Sequence, residues 1–237
     1  MKKTILLSCL ATAFCLLTAC NWDDEFLITN EQTMGDVVDG RFLNDQGIWY
    51  DIVEQQCEGD LLAEQRAMVL CDVLANTSNS KEYSYSIRLK QFVHVDVMPI
   101  LHDAPEEEAP VLVDLAWASG KYLNLRLIYL APDTPTQEHS FSVVVEKEPT
   151  SSNPIVLHLY HNAGGEYYGA PASDWEAKDL KQHLCFVSAK IWPYYEEDAS
   201  RLNTDYTVKY SWHKMAEDGK SYLTETEMLE AEGNLYR

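Results

Sequence analysis

Positive charge is scarce in this chain. Its 237 residues carry 18 lysines and arginines against 38 aspartates and glutamates, a formal charge of −20. Such a surface repels phosphate backbones and anionic lipid head groups, so a nucleic-acid partner is not expected. Catalytic signatures are absent as well. There is no Gly-x-Ser-x-Gly elbow, no His-Glu-x-x-His and no glycine-rich phosphate loop. Six cysteines are present, but none stands in a Cys-x-x-Cys or Cys–His spacing that would hold zinc. These absences lead to an expectation of no catalytic residues, no metal and no cofactor. Long apolar runs are missing too, with one exception at the start.

That exception runs from Thr4 to Ala19, behind the basic start Met1-Lys2-Lys3. It is too short for a comfortable membrane span and a polar acidic segment follows it, so residues 1–19 read as a signal peptide. Leu17-Thr18-Ala19-Cys20 is a lipobox: an apolar residue, two small ones, then the cysteine whose sulfur takes lipid. Cys20 is therefore the expected lipidation site, and acyl chains contribute about 0.8 kcal/mol per buried methylene to anchoring. Removing the leader takes away Lys2 and Lys3 and no acid, which leaves the mature charge at −22. Residues 20–30 then form a lipidated tether. Its acidic run, Asp23-Asp24-Glu25, fits either a surface-export signal or a plain solvated spacer. The expected location is the outer membrane, lipid-anchored, with surface exposure as the version to test. Of the cysteines, Cys9 and Cys15 leave with the leader. Cys57 and Cys71 could close a small loop, and Cys185 reads as a buried apolar thiol.

The mature chain reads as all-β in two domains. Residues 103–110 hold two prolines and three adjacent glutamates, which predicts a linker, with a charged surface loop as the alternative. Before it, branched and aromatic runs at 47–53, 67–74 and 83–98 predict short strands, with a helix conceivable over 61–67. A few short strands in this length suit a small OB-like barrel over 31–102. After it, about seven strands with turns between them predict an Ig-like antiparallel β-sandwich over 111–237. Leu123, Leu125 and Leu127 alternate onto one face. Glu217-Asp218-Gly219-Lys220 is a hairpin signal, and Ser173 followed by Glu176 a capping box for one short helix from Asp174.

Four short segments resemble NigD-like lipoproteins. Gly120-Lys121-Tyr122-Leu123-Asn124-Leu125 is similar to that family's "GxYLN" strand, and Leu157-His158-Leu159-Tyr160-His161-Asn162-Ala163 to its "LxLxHN" strand end. Cys185-Phe186-Val187-Ser188 loosely matches a "vSF" strand. Gln65-Arg66-Ala67-Met68-Val69 resembles "GQRVLV", with Glu64 where the family has glycine. The resemblance implies a lipobox, an N-terminal OB-like domain and a C-terminal β-sandwich. The family's activity is not established; its name comes from a bacteriocin-associated operon, and immunity has been suggested for it.

Chemistry is sparse in what remains. His158 and His161 sit three apart on a strand and so face opposite ways; His161 shares the face of Leu157 and Leu159 and is expected to pack at the strand end. The runs Glu106-Glu107-Glu108 and Glu196-Glu197-Asp198 lack the spacing and turn glycine of a calcium loop and read as solvated. Aromatic residues beside glycine or proline mark two candidate contact loops by composition: Tyr167 and Tyr168 in one, Trp192, Tyr194 and Tyr195 in the other. Exposed rings of this kind stack on sugars or anchor proteins. The leading expectation is a non-enzymatic envelope binding module, with an envelope protein or glycan as partner. A glycan hydrolase and an accessory subunit of a surface assembly stand as alternatives.

Overall fold

The computed structural model describes residues 27–135, 137–164, 180–194, 205–215 and 222–231. The leader, Cys20, Tyr167, Tyr168, Tyr195, the 196–198 acids and the helix expected from Asp174 lie outside these residues. Among the described residues no helix is long and apolar enough to cross a membrane.

Five strands close the first domain: β1 (Ile28–Val38), β2 (Arg41–Asn44), β3 (Trp49–Gln55), β4 (Arg66–Asn76) and β5 (Ser84–His94). Their order around the barrel is β1-β2-β3-β5-β4, with β4 returning to β1 and β3 parallel to β5. This is the OB arrangement. Phe42, Val69, Cys71, Ile87 and Leu89 fill it with no exposure. Burying side chains of this size stabilises by roughly 1.5–3 kcal/mol each. Leu61 plugs the barrel from a single 3₁₀ turn, Leu61–Ala63, capped by the Asp60 carboxylate accepting from Leu62 N–H. That turn is all that forms of the helix conceivable over 61–67; Glu64 and Gln65 connect it to β4, which takes up Arg66 and Ala67. Closure needs Gly35, because a Cβ there would meet the Leu43 carbonyl oxygen at 2.2 Å.

The second domain is a sandwich. Its strands are β6 (Asp96–Met98), β7 (Ile100–Leu101), β8 (Leu112–Ser119), β9 (Tyr122–Pro132), β10 (Ser140–Lys147), β11 (Ile155–Asn162), β12 (Leu180–Lys190), β13 (Tyr206–Met215) and β14 (Tyr222–Ala231). One sheet runs β14-β13-β11-β10-β7 and the other β6-β12-β9-β8. Leu123, Leu125 and Leu127 are fully buried between them, as their alternation predicts. Across the core they meet Leu157, Leu159 and Val208. β13 and β14 pair antiparallel in register, and the hairpin signal at 217–220 between them lies outside the described residues. The sandwich is mixed rather than purely antiparallel, since β6 with β12, β7 with β10 and β11 with β13 are parallel.

Two boundaries move. β1 begins at Ile28, inside the segment expected to be tether. The passage between domains is at Val95, whose N–H donates to the Arg66 carbonyl, and not at 103–110. β6 and β7, on either side of Pro99, already belong to the two sheets of the sandwich. Residues 103–110 are a loop of the sandwich held against β11 and β13. Ala109 is buried and donates to the His161 carbonyl, Glu107 accepts from Ala163 N–H, and Glu108 accepts from the Ser211 hydroxyl. The acids look solvated in sequence because the donors they meet lie about 50 to 100 residues away.

A groove at the junction of barrel and sandwich

Strand alternation places Tyr122, Asn124 and Arg126 of β9 on the outer face of the four-stranded sheet, beside Ser188 and Phe186 of β12 and Trp117 and Ser119 of β8. The barrel covers one end of that face. At the contact, Arg66 of β4 is fully buried. Its Nε donates to Ser188 Oγ at 2.9 Å, its Nη1 to Asp36 and Asp45 at 2.8 and 2.9 Å, and its Nη2 to Asp45 and Asn124 at 2.8 and 3.0 Å. A guanidinium has five N–H donors, and all are used. Its plane lies 3.8 Å from the Tyr122 ring centre, and the Tyr122 hydroxyl donates to Asp36. Ser119 donates to Asp45, Asn124 donates to Ser119, and Ser188 donates to Asn124, which closes the network. Burial opposes the charge of Arg66, but the two aspartates outweigh it and hold the proton more firmly than usual.

The approach depends on Gly120. Its φ is +55°, and a Cβ would stand 2.8 Å from the Asp45 carbonyl oxygen. Gly120→Ala is expected to lower stability by about 1–3 kcal/mol through backbone strain and displacement of Asp45. Thermal melting of the variant checks this; an unchanged midpoint would contradict the close approach.

Away from this contact the two domains diverge and leave a groove of about 350 Å³. Met34 and Met68 form its barrel wall, and Leu115, Trp117 and Phe186 its sandwich wall. A second cavity of about 210 Å³ shares Gln32 and Met68 with it and continues past Gln91, Phe92 and Val93 of β5. Among the described residues neither lining contains a carboxylate or an imidazole. Leu115 and Leu184 extend the apolar face outward at 46% and 56% exposure.

Of the residues singled out in sequence, those among the described residues fall elsewhere. Trp192 and Tyr194 form a 3₁₀ turn after β12, half-buried, and lean on the sandwich core. His158 faces outward and meets Glu108 and Glu146; His161 is buried, as their spacing predicts. His161 Nδ1 lies 3.1 Å from the Pro110 carbonyl and Nε2 2.9 Å from His139 Nδ1. Burial pushes its proton affinity down, to a pKa of about 4. Its ring stacks on Phe141 and, with His139 and His183, surrounds Tyr129. At the domain crossing, His94 lies between Glu64 of the barrel and Asp96 of β6. Cys57, Cys71 and Cys185 are free thiols, so the loop that Cys57 and Cys71 could close is not formed. Burial pushes Cys71 and Cys185 up to about 12.

The groove residues went unnoticed in sequence, although a signal existed. Leu115 and Trp117 in β8, and Leu184 and Phe186 in β12, are apolar on the face opposite the core. A strand apolar on both faces, in a sheet with one face bare, marks a covered or docking surface.

The sequence pattern of the NigD-like C-terminal beta sandwich domain matches residues 97–182. Over those residues the chain is similar to the NigD-like C-terminal β-sandwich. That match begins within β6, in agreement with the early crossing. Among solved structures, a protein of unknown function from Bacteroides vulgatus is 20% identical, with 86% of this chain and 90% of that one covered at a TM-score of 0.57. A candidate lipoprotein from Bacteroides fragilis is 14% identical, over 88% of this chain and all of that one, at 0.56. A NigD-like immunity protein from Bacteroides caccae is 16% identical over 90% of this chain, at 0.48. At these identities the likeness concerns the fold. No curated protein matches the sequence.

The "GxYLN" and "LxLxHN" segments lie inside the matched residues 97–182. Together with Arg66 and Ser188, the first of them supplies the junction network: Tyr122, Asn124 and the close turn at Gly120. The first of these short resemblances is therefore part of the contact between domains, and the second is not.

Proposed function

We propose that this NigD-like chain is a lipid-anchored envelope protein that binds a partner in the junction groove and catalyses no reaction. The observation that supports it is the groove itself: apolar walls from two domains, set at a fixed angle by a guanidinium with every donor used, and free of the acids and imidazoles that general acid–base chemistry requires. The lipobox at Cys20 supplies the anchor, and the outer membrane is the proposed location. A role in immunity is one version of such binding.

The test uses living cells. An alkyne palmitate fed to them should label the protein and fail to label its Cys20→Ser form. A photoreactive residue in place of exposed Leu115 should crosslink a partner. Adding Trp117→Ala and Phe186→Ala should cut that crosslink at least about tenfold, since buried aromatic anchors carry most contact energy, while the fold persists by circular dichroism. Undiminished crosslinking in that variant would rule the groove out.

A further inference from the structure

The groove's walls also say what kind of occupant they accept. Resting on the reading just given, we infer that the groove takes an extended, uncharged peptide segment of a partner protein, apolar on the side that enters. The chain carries a formal charge of −20, yet neither cavity lining holds an aspartate or glutamate. The one charge present, Arg126, is already paired with Asp114 of the neighbouring strand. A charged ligand entering here would leave water and find no free counter-charge, which is costly on either sign. The uncharged groove in an acidic chain thus selects an uncharged partner.

Shape and polarity narrow the class further. The two cavities share Gln32 and Met68, and their linings trace a trough-like line from the outer face of the sandwich across β1 and β4 to the end of β5. A trough suits an extended chain. Gln32, at the join, donates from Nε2 to Met68 Sδ at 3.1 Å. A thioether is a weak acceptor, so this amide holds a donor that a peptide carbonyl would satisfy better. Gln91 lies farther along the same trough. Side-chain amides both donate and accept, which matches the alternating N–H and C=O groups of an extended backbone. An acyl chain would cover the same amides and satisfy neither. Met34 and Met68 give one wall the adaptability to seat varied apolar side chains opposite the rigid rings of Trp117 and Phe186.

A random dodecapeptide library displayed on phage provides the probe. Selection is run against the purified, acylated full-length protein, and enriched peptides are synthesised. Their affinities are read by calorimetry against the wild type, Gln32→Ala and Leu115→Arg; both sites are exposed, so the variants keep the fold. Expected are peptides without charge in the shared segment, apolar at alternate positions, with affinity insensitive to salt. Gln32→Ala should weaken them by about tenfold, the loss of one good hydrogen bond, and Leu115→Arg should abolish binding. Charged peptides that lose binding in Leu115→Arg would overturn the occupant class and leave the groove as the site. Peptides indifferent to Leu115→Arg would overturn both. No enrichment at all would overturn the class, with the cellular crosslink from Leu115 still deciding the groove.

Discussion

Arg66→Ala is expected to destabilise the chain by about 3–5 kcal/mol, the cost of breaking a buried charge network from one side. The reason lies in what stays behind. Asp45 is 5% exposed at its side chain and would lose both guanidinium nitrogens that face it. Asn124 and Ser188 would each lose a donor inside a closed contact. The loss also separates the domains, because Arg66 and both aspartates belong to the barrel while Ser119, Tyr122, Asn124 and Ser188 belong to the sandwich. Denaturant unfolding should therefore change from one transition to two, with the barrel melting first. Arg66→Lys keeps the charge but has three donors in place of five and no plane to lay on Tyr122, so an intermediate loss is expected. A single unshifted transition in Arg66→Ala would refute the role given to this contact.

Acid is the second large lever. His161 has a pKa of about 4 in the fold, below the ordinary histidine value of 6.5, because its burial disfavours the imidazolium. The unfolded chain takes up a proton near pH 6.5, while the folded chain resists until about 4. Over that window the unfolded state binds more protons, so stability falls as pH drops and levels off, for this group, below pH 4. The full span corresponds to about 3 kcal/mol. Unfolding free energies measured at several pH values across the window should show this slope. His161→Gln, which keeps a donor for the Pro110 carbonyl and cannot titrate, should flatten it. An identical slope in the variant would assign the acid sensitivity to other groups.

How much of this was legible beforehand differs from element to element. Leu123, Leu125 and Leu127 announced a half-buried strand because each side chain's neighbours follow from a period of two. β1 escaped because its sequence, from Ile28 to Val38, is mostly polar, and its buried residues, Thr33, Met34 and Gly35, follow one another without alternating. The domain boundary escaped because Pro99, which closes the run at 83–98, stands between two short strands of different sheets, while Glu107 and Glu108 gain partners only in three dimensions. The groove was half legible, in apolar residues on the wrong face of β8 and β12. Its position was not, since only the tertiary contact at Arg66 decides how much of that face the barrel covers.

β6 and β7 lie next to each other in the chain yet join different layers, each as a parallel edge strand. Under the proposed N-terminal anchor, this makes the six residues from Asp96 to Leu101 the path of mechanical load. A tug arriving through the barrel is divided between both layers at once and acts along the strand axes, so the ladders resist in shear instead of unzipping one bond at a time. Given such an anchor, the fold is suited to hold its shape at the end of a leash in moving fluid.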